Sequence, residues 1–142
     1  MADYSSTPLS KKLGIKPYSI VALIGEPEGF RESINPLPDG VEILEIDSTE
    51  IDAILFFVRE ESEFEARLVD LQALLPDTGA LWVAWPKKSA KTTTDLTFEI
   101  VQRRGLSTGW VDNKICSIDE TFTALRFVKR VKDRLKAENK QA

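Results

Sequence analysis

The chain has 142 residues, 42% hydrophobic and 30% charged, with a formal net charge of −4 and no histidine, which fits one folded domain and is too apolar for a disordered chain. The acidic balance argues against nucleic acid as a partner, since binding it takes basic surface that releases counterions from phosphates, and no apolar run reaches the roughly 20 residues that cross a bilayer. Without histidine, and with Cys116 as the only cysteine, Ser/His and Cys/His nucleophilic machinery, an intrachain disulfide and cysteine-based zinc sites are excluded, so no metal centre is expected.

Met1 to Lys12 is too polar for a signal peptide, and a cytoplasmic location follows as an expectation. The first predicted element is a helical turn with Thr7 as N-cap, Pro8 at the first helical position and Gly14 just past the end. Ile20 to Ile24, apolar throughout and closed by Gly25, suits a strand buried on both faces. Glu26 to Asn35 reads as a brief helix or a loop, and Pro36, Pro38 and Asp39-Gly40 turn the chain. Val41 to Ile46 alternates apolar and acidic residues as an edge strand does, and Ile51 to Val58 is apolar enough for a central one.

From Glu60 to Leu75, the residues Phe64, Leu68, Leu71 and Leu75 recur at helical spacing behind an acidic first turn, and Pro76 stops the helix. Ala80 to Trp85 is a second fully buried strand. A polar loop, Lys87 to Thr93, leads to a helix predicted to be capped at Thr94 or Asp95 and terminated by Gly105, with Arg103 and Arg104 at its negative end. Leu106 to Ile118 and Thr121 to Val131 read as two strands joined at Asp119-Glu120.

Strands alternating with helices predict an α/β, Rossmann-like domain over residues 1–131, with a mostly parallel sheet of about six strands, right-handed crossovers and a C-terminal antiparallel hairpin. Residues 132–142 read as a charged tail.

In such folds ligands lie beyond the carboxyl ends of the strands, where strand order reverses. Four loops qualify there: Gly25 to Gly29, Ile46 to Ser48, Arg59 to Ser62 and Pro86 to Asp95. In Gly25-Glu26-Pro27-Glu28-Gly29 the outer glycines of a nucleotide-binding loop are in place, and Glu45 or Asp47 follows about twenty residues later, as a ribose-binding acid would. These residues, with the closing hairpin, resemble S-adenosylmethionine-dependent methyltransferases from Ile20 to Val131. The resemblance implies a cofactor held by Gly25, Glu26, Gly29 and Asp47. The departures are Pro27 at the middle glycine, which donates no N–H, Leu23 where that family usually carries an acid, and a strand and helix missing after Ile46, which makes the topology a truncated one.

Trp85-Pro86-Lys87-Lys88-Ser89, with Thr94 and Asp95 after it, gathers cations, hydroxyls and a helix start, as an anion-binding loop does; a solvated, helix-capping loop has the same composition. This stretch, with Lys11-Lys12-Leu13-Gly14-Ile15, Asp119-Glu120-Thr121 and Leu125-Arg126-Phe127, is similar to a family of small uncharacterised bacterial proteins, a domain of unknown function. That second resemblance implies the fold and a bacterial origin, implies no activity, and directs attention to Lys87, Lys88, Asp95, Asp119 and Arg126. Asp119 and Glu120 could form an acid/base pair, although neighbours in a turn point apart, and Arg126 in an apolar strand suggests an ion pair or a purpose-built site.

Three functions remain open on the sequence. The first is a non-catalytic binder of a small anionic ligand such as a nucleotide, with Lys87 and Lys88 facing the Gly25 to Gly29 loop. The second is a divergent S-adenosylmethionine-dependent methyltransferase, and the third a scaffold for a protein partner.

Overall fold

The computed structural model describes residues 7–46 and 50–134. Six strands form one sheet: β1 (Ile20–Ile24), β2 (Glu42–Leu44), β3 (Ala53–Phe57), β4 (Ala80–Pro86), β5 (Val111–Ser117) and β6 (Phe122–Val128). The spatial order is β2-β1-β3-β4-β6-β5. β2, β1, β3 and β4 pair in parallel, and β6 enters antiparallel between β4 and β5. The mostly parallel sheet with its closing hairpin is the architecture the sequence predicts, and β2 forms one edge of it.

Among the described residues, α1 (Leu9–Lys12), α2 (Phe30–Ser33), α3 (Glu61–Ala73) and α4 (Phe98–Ser107) flank the sheet, and residues 131–134 are helical as well. β1, β3 and β4 are apolar at every position because both faces of the sheet are covered there. On one face Ile54, Phe56, Val83, Leu125 and Phe127 pack with Phe64, Leu68 and Leu71 of α3 and Val101 of α4. On the other, Leu55, Phe57, Trp82 and Ala84 pack with Leu13, Phe30 and Ile34 from the α1 and α2 segments. Side chains of this kind each contribute about 1.5–3 kcal/mol when fully buried. The Trp82 indole Nε1–H donates to Leu13 O at 3.0 Å, which fastens the end of α1 to the sheet.

Several boundaries differ from the sequence reading for identifiable reasons. α1 begins at Leu9 with Pro8 as its N-cap, one residue later than expected, while Gly14 does follow the helix in the left-handed region (φ 73°). α4 begins at Phe98 and is capped by Thr97, whose hydroxyl accepts from the Ile100 N–H at 3.2 Å. Thr94 and Asp95 therefore do not cap it.

Gly105 does not end α4 either. It is buried inside the helix, where a Cβ would fall 2.1 Å from Phe127 Cε1, so the glycine is there to let helix and strand approach. The left-handed residue beyond the helix is Gly109 (φ 94°). The expected strand from Leu106 consequently starts only at Val111, and β5 pairs with β6 through a bulge between Asp112 and Lys114. Arg104 turns away from the α4 carboxyl end and bridges Glu61 Oε2 at 2.7 Å and Glu65 Oε2 at 2.8 Å on α3. No helix among the described residues is long and apolar enough to cross a membrane.

Candidate functional site at the carboxyl ends of β1 and β3

The chain leaves β1 toward β2 on one side and returns to β3 on the other, so strand order reverses between β1 and β3. That reversal opens a crevice at their carboxyl ends. Gly25 sits in it with φ 69°, and a Cβ there would lie 2.6 Å from Phe57 O. Both the backbone conformation and the closeness of β3 therefore require glycine. Gly29, at φ 86°, needs its conformation alone, since nothing crowds it. It precedes α2, which is a single turn of four residues.

Beside this turn lies a depression of about 420 Å³ lined by Pro27, Glu28, Gly29, Arg59, Asp119 and Phe122 among others. Phe30 and Phe122, which line it, belong to a row of buried rings. Phe30 meets Phe57 edge-on at 4.9 Å, and Phe57 meets Phe122 at 5.2 Å. The Arg59 guanidinium stands over the Phe122 ring, 5.6 Å from its centroid. Among the described residues no carboxylate lies within ion-pair range of Arg59, which leaves an oriented, solvent-facing cation at the mouth of the crevice.

Two residues named from the sequence hold Arg59 in place. The Thr94 hydroxyl donates to Arg59 O at 2.5 Å and accepts from the Leu96 N–H at 3.1 Å. Asp95 Oδ1 accepts from the Glu61 N–H at 2.7 Å, capping α3 from a different loop. The polar stretch after β4 is thereby strapped across the end of β3.

The remaining sequence candidates scatter. Glu26 is half-buried and pairs with Arg31 at 3.1 Å, so its charge is answered by the adjoining α2. Asp47 lies outside the described residues, and Glu45 is exposed at the end of β2. Lys87 Nζ donates to Ser117 Oγ at 2.6 Å. Lys87 and Lys88 line two other depressions, one of about 410 Å³ with the buried Trp85 and one of about 440 Å³ with Thr92 to Thr94. Neither depression includes the Gly25 to Gly29 loop, and Ser89 is exposed on the turn between.

Asp119 Oδ1 accepts from the N–H groups of Thr121 and Phe122 at 2.8 and 2.7 Å. It closes its own hairpin turn, with Glu120 exposed beside it; the geometry makes a turn-former of Asp119 rather than half of an acid/base pair. Arg126 is at the opposite end of the sheet, among the amino ends of the parallel strands. Arg59, which completes the crevice, opens one of the four candidate loops but is not among the individual residues singled out, because only the fold sets it over an aromatic ring and across from a glycine turn.

No protein-family model matches the chain, and no curated protein matches it in sequence. Solved structures do. One is DhpI in a complex with SAH, with a TM-score of 0.57 at 12% identity over 92% of this chain and 91% of that one. Another is the magnesium protoporphyrin IX methyltransferase ChlM from Synechocystis PCC 6803 with bound SAH, at 0.53 and 8% identity over 86% and 78%. A third is the fibrillarin pre-rRNA processing protein of Methanococcus jannaschii, at 0.57 and 12% over 88% and 70%. At such identities the likeness is one of architecture, and the architecture is the methyltransferase-like Rossmann fold.

Proposed function

We propose that this chain is a divergent S-adenosylmethionine-dependent methyltransferase whose cofactor lies across the carboxyl ends of β1 and β3. The observation that carries the reading is the close approach of Gly25 to Phe57 at the reversal of strand order, in a sheet shared with proteins solved in complex with SAH. The residues present fit the amino-acid end of that cofactor. The Arg59 guanidinium offers two parallel donors to a carboxylate, Glu28 at the rim offers an acceptor to an ammonium group, and the lining rings of Phe30 and Phe122 are apolar. The loop falls short where Pro27 removes one N–H, and weak affinity follows.

When bound, the cofactor supplies an electrophilic methyl group on a sulfonium. The nucleophile for such a transfer belongs to the acceptor substrate, so a chain without histidine is not disqualified. The alternative of a nucleotide held by Lys87 and Lys88 against the glycine loop finds little support, since the two sets of residues line separate depressions.

The test is calorimetric titration with S-adenosylmethionine and with SAH, on the parent protein and on Arg59→Met. We expect saturable binding of both ligands, at least about tenfold weaker in the variant, in line with a charge-assisted contact of about 1.5–3 kcal/mol. Absence of binding at millimolar ligand, or binding unaffected by Arg59→Met, refutes the assignment.

A further inference from the structure

At the opposite pole of the sheet, a second pocket of about 360 Å³ opens at the amino ends of β1, β3 and β4. Gly14, Lys16, Tyr18, Asp52 and Thr78 border it, and Arg126 lines it from β6. Arg126 is half-buried and is the one charged residue of β6. Among the described residues it has no hydrogen-bond acceptor and no carboxylate in ion-pair range.

The acid in the same pocket does not answer it. Asp52 Oδ2 accepts instead from the Ile20 N–H at 2.8 Å, fixing the start of β1. Another cation acts on it: Arg134 disfavours the charge on Arg126, adding to the larger cost of burial. Arg134 itself has a buried Nε with no acceptor. Removing a guanidinium from water without a partner is costly, and two of them near each other cost more. Lys16 adds a third positive group at the rim. The arrangement has cations and unanswered donors but no free acid aimed at them.

We propose that this pocket is a second ligand site, which takes the carboxylate or phosphate group of a small molecule on the Arg126 guanidinium. It is separate from the crevice at β1 and β3, and its existence does not depend on a cofactor there. A fork of N–H donors suits either oxyanion, and the pocket volume admits a small metabolite rather than a polymer.

The experiment titrates the parent protein with inorganic phosphate and, separately, with acetate. Ionic strength is matched with chloride, and the readouts are thermal midpoint and the NMR position of the Trp82 indole N–H, which lies opposite Arg126 in the β4–β6 register. We expect one or both anions to give a saturable response, weakened at least tenfold in Arg126→Met and partly retained in Arg126→Lys. A phosphate-only or acetate-only response identifies the preferred group and supports the site. An equal response in Arg126→Met, or no saturable response to either anion in the parent protein, overturns it; the second criterion holds even if the variant does not fold. SAH binding by Arg126→Met should match the parent, so the two sites fail or stand separately.

Discussion

Asp95 Oδ1 accepts a hydrogen bond from the backbone N–H of Glu61 at 2.7 Å, across 34 positions of sequence. The first N–H groups of a helix have no partner within it, and in α3 the adjacent Glu60 makes no side-chain cap. The cap arrives from the loop after β4, so the start of α3 and the position of Arg59 depend on one strap. Asp95→Ala should cost about 1 kcal/mol of stability, within the range for lost caps, and Asp95→Asn should recover most of it. Urea unfolding measures this; a neutral Asp95→Ala shows that the strap contributes nothing.

Gly105 tests a conflict of two effects. In a solvent-facing helix Gly→Ala gains about 1 kcal/mol, but here the new methyl group meets the Phe127 ring at 2.1 Å. Overpacking of this kind costs about 1–3 kcal/mol, and Gly105→Ala should be net destabilising in chemical denaturation. A more stable variant contradicts the packing of α4 on β6.

The Trp82 indole is the tether between the sheet and α1. Trp82→Phe leaves Leu13 O without its donor and should cost about 1–3 kcal/mol for the unsatisfied carbonyl, with further loss from the smaller ring. Amide exchange should quicken first at Leu13 and Ile15. Uniform exchange across the molecule means that α1 is held by other contacts.

Cys116 is buried, and burial raises its thiol pKa above the ordinary value of 9.0, against smaller opposing effects of Lys12, Lys114 and Lys87. A raised native pKa stabilises the fold fully below the unfolded thiol's value, and this contribution is lost as pH rises through the native one. Stability should therefore fall above about pH 9, and less so in Cys116→Ala, compared with the parent by urea midpoint against pH. At pH 8 the native thiol should react with iodoacetamide at least about tenfold more slowly than in urea, because only the exposed thiolate attacks. Equal rates place Cys116 at the surface.

The strands were readable because their burial leaves a mark in composition. Leu55, Phe56 and Phe57 face alternate cores, and only a strand covered on both sides tolerates such a run. Phe64, Leu68 and Leu71 disclosed α3 by period. The errors fall where one residue type serves two purposes. Glycine ends helices and also permits close packing, and Gly105 does the second; Asp95 caps a helix, but one distant in sequence. The glycine turn at Gly25 was visible as a motif, while the crevice was not, since Arg59 acquires its place only when β3, β6 and the strap assemble around it.

The position of β6 bears on how this protein is made. β4 carries Leu81, Trp82, Val83 and Trp85, and one flank of it is closed only by residues 122–128, well after it in sequence. A ribosome releases the chain from the amino end, and the earlier strands emerge first. Until β6 arrives, β4 offers a naked apolar edge, the kind of surface that recruits strands from other molecules. Premature termination before Phe122 should yield insoluble product rather than a smaller folded protein, and synthesis of this chain has a vulnerable interval that lasts from the emergence of β4 until β6 has followed it.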